Sequence, residues 1–378
     1  MKKIFYLLVL GIIVILIILF TVSKINKQET HLNSSTAVIK KSSAKKASTK
    51  HHHQKKDTTL STIDLNENLD NILLKANFNG TALIVKNNKI LLRKGYGYAN
   101  FSTKKLNTPN TLYLIASTQK AFIATSILQL DQQHKLSIDD PISKFLPHFP
   151  NGNQIKLRNF LTHTSSIVGR SEDSQTKTLD QMIFEIEGHG TQGPIGKWKY
   201  EDSNYTVLVK VLEKVTGESF RVYLNQHLFH PTNITQVGYV TSDFNNLADA
   251  SSGYVEENNQ LKANPLPNVS QLYGVGDMFM DINSMYKFDK ALVANKFLDT
   301  AHLNEMFTPG SSSHYAMGFY NDPGLIINRG YLSGWVISNG FTHDGKDFIL
   351  LFSNVKNKNV SLGKLNDQIL GALSQIHG

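Results

Sequence analysis

The chain repeatedly places a lysine three residues after a serine, a spacing that could join a nucleophile to its base. This Ser-x-x-Lys pattern begins at eight positions: Ser42, Ser43, Ser102, Ser117, Ser174, Ser284, Ser353 and Ser361. Because the pattern is short, its surroundings must select among the copies. Only Ser117 follows an extended apolar segment, residues 112–115, and starts an apolar helix. Ser117 and Lys120 are therefore the predicted nucleophile and base.

The chemistry of this pair follows from helix geometry. Residues three apart share one helix face, with Cβ atoms about 5–6 Å apart. An apolar setting disfavours the ammonium form, so the pKa of Lys120 is expected to fall until the amine can accept the Ser117 proton. The helix N-terminus adds N–H groups for a developing oxyanion. The alternative interpretation makes Ser117 a helix cap and Lys120 a solvated first-turn residue.

The spacing of apolar residues predicts the secondary-structure elements around this pair. Residues 117–134 are apolar on nearly all helix faces, which predicts a central, buried helix. Residues 80–98 form two β-rich runs around Asn87 and Asn88, which predicts a hairpin. A helix is predicted over residues 63–76 before it. Further helices are expected near residues 157–161, 205–216, 219–228 and 284–293.

The C-terminal part alternates predicted strands at residues 324–327, 334–339 and 347–353, and it ends in a helix over residues 362–376. Strands before and after a helical middle imply one antiparallel sheet built from both chain ends, with helices packed on it. The predicted fold class is α/β, in the form of an α+β sandwich.

Several motifs together resemble the superfamily of serine β-lactamases and penicillin-binding proteins, in the branch related to class C β-lactamases and D,D-carboxypeptidases. The similar segments are the hairpin, Leu-Ile-Ala-Ser-Thr-Gln-Lys at 114–120, Leu-Ser-Ile-Asp-Asp-Pro-Ile-Ser-Lys-Phe-Leu-Pro at 136–147 and Leu-Thr-His-Thr-Ser at 161–165. The resemblance covers residues 65–375 and implies a β-lactamase/transpeptidase-like fold.

The family's second motif, Tyr-x-Asn, is matched by Tyr200-Glu201-Asp202. The resemblance makes Tyr200 a proton relay, whereas the alternative is a packed aromatic residue. Asp202 stands where Asn is common, so an acceptor replaces an amide that can also donate. This carboxylate could favour the charged form of Lys120 or of a substrate ammonium. Asn204 is a rival match for the motif.

The third motif, Lys/His-x-Gly, is best matched by Asn328-Arg329-Gly330. Asn328 is uncharged, so a substrate carboxylate would lose its usual partner unless Arg329 turned inward. By resemblance, the oxyanion hole would use the backbone N–H groups of Ser117 and Tyr331.

Three remaining features receive plainer interpretations. His163 is expected to be structural. The Gly-Val-Gly run at 274–276 is expected to mark a close backbone approach near the site. No Walker, Rossmann or zinc-protease pattern occurs, so we expect no cofactor and no metal site.

The net charge of +9 lies entirely in residues 1–60, which hold eleven lysines against Glu29 and Asp57. The remainder is neutral, which argues against nucleic-acid binding. There is no cysteine, so neither disulfides nor a thiolate nucleophile can form.

Residues 4–22 contain no charged side chain and would span roughly 28 Å as a helix, close to the thickness of a bilayer core. We expect residues 1–24 to be an uncleaved membrane anchor, residues 25–60 to be a disordered Lys/Ser/Thr/His-rich linker, and residues 61–378 to be the hydrolase domain. The expected location is the cell membrane, with a single pass and an extracellular catalytic domain.

The expected activity is a two-step acyl transfer on D-alanyl compounds of the cell envelope, either D-alanyl esters of teichoic acids or peptidoglycan stems. Asp202, Asn328 and the cationic linker favour the ester. The alternatives are a β-lactamase, for which a β-lactam would be a covalent ligand, and a non-catalytic wall-binding or sensor module with an eroded site.

Overall fold

The computed structural model describes residues 65–266 and 268–376. Its first helix, α1 (Glu67–Lys75), is shorter than predicted because the Asn66 side chain accepts from the Leu69 amide and caps it there. The predicted hairpin is confirmed as β1 (Gly80–Lys86) and β2 (Lys89–Tyr96). Asn87 and Asn88 both adopt positive φ, as a tight two-residue turn requires.

The main sheet contains six strands in the order β10-β11-β12-β13-β1-β2. Its C-terminal strands are β10 (Tyr320–Asp322), β11 (Leu325–Leu332), β12 (Trp335–Phe341) and β13 (Phe348–Ser353). β1 pairs antiparallel with β13, with Leu83 opposite Leu350. The prediction of one antiparallel sheet from both chain ends is therefore confirmed.

Helices cover both faces of this sheet, as the alternation of β1 requires. Ala82 and Ile84 face the cluster that packs against α1 and the C-terminal helix α9 (Leu362–Gln375). Leu83 and Val85 face a larger core built around α2 (Lys120–Gln132). Because side chains of a strand alternate between faces, a strand buried on both sides reads as a continuous apolar run.

The helical part contains α3 (Leu157–Leu161), α4 (Leu179–His189), α5 (Ser203–Thr216), α6 (Phe220–Leu224), α7 (Ile282–Val293) and α8 (Thr300–Phe307). Short strands complete the described fold: β3 (Tyr98–Asn100), β4 (Lys105–Leu106), β5 (Tyr113–Leu114), β6 (Val237–Tyr239), β7 (Tyr254–Glu257), β8 (Gln260–Ala263), β9 (Met278–Met280) and β14 (Val355–Lys356). The sequence did not predict α4, α8 or the small sheets.

The predicted central helix is buried on all sides, from Lys120 to Leu130. Its first residues differ from the prediction, because a 3-10 turn over Ala116–Gln119 precedes the α-helix. The predicted helix over residues 219–228 is also divided, into α6 and a π turn at Asn225–Phe229.

The predicted anchor and linker, residues 1–24 and 25–60, lie outside the described residues. Within the described part, none of the helices has the length and apolar character that crossing a bilayer requires.

One buried carboxyl group has no charged partner in the described core. Asp289 on α7 is fully buried and accepts from Asn339 Nδ2 at 3.1 Å. Asp289 Oδ2 and Asn339 Oδ1 both lack a partner. Burial raises the pKa of Asp289 well above its ordinary value, so this carboxyl group keeps its proton to a higher pH in the folded chain than in the unfolded chain. When Asp289 is protonated, its hydroxyl group can supply the donor that these two oxygens otherwise lack.

Asp289→Asn is expected to raise the free energy of unfolding at pH 8 by roughly 1–3 kcal/mol. Because folding raises the pKa of Asp289, its contribution to the free energy of unfolding is complete below the unfolded-state pKa. That contribution is lost as the pH rises toward the folded-state pKa. Asparagine keeps a donor without a titrating proton, so the difference should shrink toward pH 4. Urea unfolding between pH 4 and 8 measures it, and a difference independent of pH would contradict the assignment.

Candidate active site

The candidate nucleophile lies on a strained turn between β5 and α2. Ala116, immediately before Ser117, has φ +48°, a left-handed conformation that is unusual for alanine. Thr118 holds the turn, because its Oγ1 donates to the Ile115 carbonyl oxygen at 2.6 Å. Backbone strain of this kind persists only where the surroundings enforce it, and it often accompanies functional sites.

Lys120 lies directly behind this serine and is 1% exposed. Its Nζ donates to Ser117 Oγ at 3.0 Å and to the Val275 carbonyl oxygen at 3.3 Å. It also forms an ion pair with Asp202 Oδ1 at 2.6 Å. The alternative in which Lys120 is solvated is therefore wrong. The Gly-Val-Gly run does approach the site closely, since it supplies the Val275 carbonyl.

The expectation of a lowered pKa for Lys120 is also wrong. Burial alone would lower it, but the charge of Asp202 and the nearby Tyr200 outweigh burial and raise the pKa above its ordinary value. Lys120 is therefore an ammonium. The sequence-based inference considered only the apolar setting, and the second possibility raised by Asp202, a stabilised Lys120 cation, describes the site better.

Asp202 immediately precedes α5 but does not cap it. Although it occupies the N-cap position, its side chain accepts no hydrogen bond from the helix amides. One carboxylate oxygen faces Lys120, while the side chain as a whole is 44% exposed to the cleft. Burial would raise the pKa of Asp202, but Lys120 overcomes this and lowers it, so Asp202 is a carboxylate.

Tyr200 completes the group, because its side chain lines the cleft with Ser117 and lies beside Lys120. Burial raises the pKa of Tyr200 more than Lys120 lowers it, so the phenol stays protonated at neutral pH. The Lys120 ammonium lies 5.3 Å from the centre of its ring. A protonated phenol beside both groups is suited to relaying a proton.

His163 supports Tyr200 from behind. The two rings lie 4.3 Å apart, and His163 Nδ1 accepts from Asn204 Nδ2 at 3.1 Å. Burial and the charge of Lys120 lower the pKa of His163 to about 3, so the imidazole is neutral. Asn204, the rival match for the second motif, bonds to His163 and does not line the cleft.

The third motif lies on β11, which extends five residues beyond the predicted strand end. The pairing with β10 covers only Leu325–Ile327, so the edge from Asn328 onward lies beside the nucleophile turn instead. Gly330 makes this possible, because a Cβ there would come within 2.3 Å of the Ile115 carbonyl oxygen. A side chain would push the strand away from Ser117.

Asn328 is 2% exposed and turns its amide toward the Thr118 carbonyl oxygen, at 3.4 Å. Arg329 lines the cleft but forms an ion pair with Asp322 and lies 5.1 Å from the Tyr320 ring. Neither residue therefore reproduces the family's free cation beside the nucleophile. Tyr331 is 48% exposed on the same cleft wall.

The cleft has a volume of about 530 Å³, and the predicted site residues that line it are Ser117, Tyr200, Asp202, Asn328, Arg329, Gly330 and Tyr331. The sequence did not predict its other lining residues, which come from distant segments: Tyr315, Gly318, Tyr320, Val336, Ile337, Ser338, Leu362 and Gly363. Among the described residues, no group of three or more His, Asp or Glu side chains is placed to hold a metal ion. The cleft thus joins a serine hydroxyl, an ammonium–carboxylate pair and a phenol, a set suited to acyl transfer.

Comparison with protein sequences gives consistent results. Residues 66–373 match the family model described as Beta-lactamase. A Bacillus subtilis (strain 168) protein named "Putative penicillin-binding protein PbpX" is 39% identical over 350 residues, which cover 93% of this chain and 89% of that protein. A Staphylococcus aureus protein named "Teichoic acid D-alanine hydrolase" is 32% identical over 300 residues, which cover 77% and 74% of the two chains.

Solved structures share the same fold. FmtA from Staphylococcus aureus superposes with a TM-score of 0.73 at 28% identity, covering 86% of this chain and 93% of that one. D-amino acid amidase from Ochrobactrum anthropi gives a TM-score of 0.70 at 21% identity, covering 82% and 99%. The second likeness concerns the fold alone.

Proposed function

Because the chain belongs to the Beta-lactamase family of serine hydrolases, we propose that it removes D-alanyl esters from teichoic acids of the cell envelope. In this proposal, residues 1–24 anchor the chain in the membrane, and the hydrolase domain lies outside the cell. The relative named as a teichoic acid D-alanine hydrolase supports the substrate, and the apolar run at residues 4–22 supports the location.

The proposed reaction begins with proton transfer inside the Lys120–Asp202 pair, which leaves a neutral amine and a neutral carboxyl group. The amine takes the Ser117 proton, and Oγ attacks the ester carbonyl carbon. Backbone N–H groups of Ser117 and Tyr331 would hold the oxyanion. Tyr200 protonates the departing alcohol oxygen and recovers its proton from Lys120. Water then attacks the acyl-enzyme by the same route and releases D-alanine.

The observation that carries this proposal is the Asp202 carboxylate, which forms an ion pair with Lys120 and is open to the cleft. A D-alanyl ester carries an ammonium group next to its carbonyl carbon, and a carboxylate at this place would attract it. An amide at position 202 would offer no such charge. An ester also has a better leaving group than a peptide, so it needs less assistance when the bond breaks.

The alternatives of D,D-carboxypeptidase and β-lactamase both require binding of a substrate carboxylate. Asn328 lines the cleft but is uncharged, with its amide turned to the Thr118 carbonyl oxygen, and Arg329 is neutralised by Asp322. We therefore expect weak turnover of β-lactams, although a β-lactam can still acylate Ser117. The alternative of a non-catalytic wall-binding module conflicts with the preserved contact of 3.0 Å between Lys120 and Ser117.

D-alanine release from purified D-alanylated teichoic acid tests the proposal, with the Ser117→Ala chain as the matched control. Release by the parent chain and none by the variant is the expected result. Trimming of pentapeptide stems without release from teichoic acid would overturn the ester assignment. Nitrocefin turnover at a rate comparable with ester hydrolysis would favour the β-lactamase alternative.

A further inference from the structure

Three exposed lysines, Lys356, Lys358 and Lys364, lie on the segment that runs from β14 to the first turn of α9, and we call them the basic rim. From Phe348 to Asn366 the chain contains no Asp or Glu. No carboxylate of residues 65–266 or 268–376 forms an ion pair with these amines. The rim therefore presents three ammonium groups without ion-pair partners among the described residues, in a domain that is neutral as a whole.

Lys356 connects the rim to the cleft. Its ammonium lies 3.6 Å from the centre of the Tyr331 ring, and Tyr331 lines the cleft next to Gly330. An ammonium held on an aromatic face keeps N–H donors for a further acceptor. The contact thus fixes a cation at the cleft wall without neutralising it.

The start of α9 gives the rim a second connection. Leu362 and Gly363 line the cleft, and the next residue is Lys364. A lysine in a first helical turn is disfavoured by the helix dipole, and this turn contains no acidic residue. A bound anion would reverse that unfavourable interaction, because it would interact favourably with both the helix end and the ammonium.

Ser338 adds a hydrogen-bond donor at the same wall. It is 2% exposed, lines the cleft and accepts from Asn366 Nδ2 at 2.7 Å. Its own proton has no acceptor among the described residues. It can therefore donate to a ligand oxygen in the cleft.

The cleft consequently carries opposite charges on different walls, with the Asp202 carboxylate beside the nucleophile and the basic rim beyond Tyr331. A D-alanyl ester on a polyol phosphate has the same polarity. Its ammonium lies on the acyl side of the ester bond, and its phosphate lies on the alcohol side. Only one orientation places both charges against opposite charges.

We infer that the basic rim binds the phosphodiester on the alcohol side of the scissile ester, while the alanyl ammonium points toward Asp202. This inference rests on the proposed esterase function and adds the recognition of the polymer backbone. It also assigns anion binding to the rim, since Asn328 carries no charge that could hold an anion.

The test compares two small esters, D-alanyl-glycerol and D-alanyl-glycerol phosphate, which differ by one phosphate group. The parent chain should hydrolyse the phosphorylated ester with a kcat/KM about tenfold higher. The triple variant Lys356→Gln/Lys358→Gln/Lys364→Gln should lose this preference. A matched triple, Lys75→Gln/Lys135→Gln/Lys296→Gln, removes the same charge from exposed sites outside the cleft and should keep it.

A second measurement separates this inference from the proposed function. The second measurement is binding of a glycerol phosphate oligomer to the Ser117→Ala chain. Adding the rim triple to this chain should weaken binding about tenfold, and adding the matched triple should not. If both esters are cleaved without a phosphate preference, the rim assignment fails and the esterase stands. If neither ester is cleaved but binding depends on the rim, the esterase fails and the rim stands. Equal weakening in both triples would overturn the rim, because it would report net charge only.

Discussion

Lys120→Gln is expected to lower kcat/KM for D-alanyl ester hydrolysis by about 10³-fold or more, since general base catalysis contributes 10²–10⁴-fold and its loss also removes activation of the nucleophile. Ser117→Ala should lower it to a similar level. The two losses should not add in the double variant, because residues that act as one unit are non-additive. Initial rates of D-alanine release for both single variants and the double variant measure this.

A fluorophosphonate probe with intact-mass analysis gives an independent readout of the same pair. The parent should gain one adduct, Lys120→Gln should react much more slowly, and Ser117→Ala should not react. Lys120→Gln also leaves Asp202 without its partner, so its melting temperature must be compared with the parent's. A folded Lys120→Gln chain that is labelled at the parent rate would remove Lys120 from the mechanism, and a labelled Ser117→Ala chain would remove Ser117.

The nucleophile and its neighbouring lysine were predictable because their relation is local. Spacing along one helix face depends only on backbone geometry, and the apolar pattern of α2 indicates that the helix is buried. The hairpin is predictable for the same reason, since Asn87 and Asn88 tolerate the positive φ of a short turn. In each case, a few adjacent residues determine the structure.

The protonation of Lys120 was not predictable from its own segment. The apolar surroundings are real, yet the carboxylate that reverses their effect comes from the start of α5. Local burial and a distant charge act in opposite directions on the same pKa. Only the folded chain shows that the distance between Lys120 Nζ and Asp202 Oδ1 is 2.6 Å, short enough for the charge to dominate.

The third motif shows a related difficulty. Asn328, Arg329 and Gly330 interrupt an apolar run, so hydropathy predicted that the strand ends at residue 327. The strand continues because Asn328 is buried against the nucleophile turn and Gly330 allows close approach to Ile115. The cleft residues Tyr315, Ser338 and Leu362 carry no local signal, since their role depends on tertiary packing alone.

The Lys120–Asp202 pair gives the second prediction with a large expected effect. Asp202→Asn should lower kcat/KM for ester hydrolysis near neutral pH by about 10²-fold. The substitution removes both the acceptor of the Lys120 proton and the charge that attracts the substrate ammonium. Its effect should be larger on an ester with a free ammonium than on its N-acetylated counterpart.

The pH dependence of the remaining activity should shift in a defined direction. The carboxylate is what raises the pKa of Lys120, whereas burial lowers it. Without the carboxylate, Lys120 becomes an amine at lower pH, so the rising limb of the pH–rate profile should move toward acid. Profiles of kcat/KM between pH 5 and 10 measure this shift.

Asp322→Asn is the matched control, since it removes a carboxylate that pairs with Arg329 rather than with Lys120. The rising limb of the pH–rate profile of Asp322→Asn should lie at the same pH as that of the parent. A limb that moves toward alkali in Asp202→Asn would contradict the charge pairing as the origin of the raised pKa. An unchanged rate would show that proton transfer from Ser117 does not pass through the pair, because the only carboxylate that forms an ion pair with Lys120 within the described residues would then be dispensable.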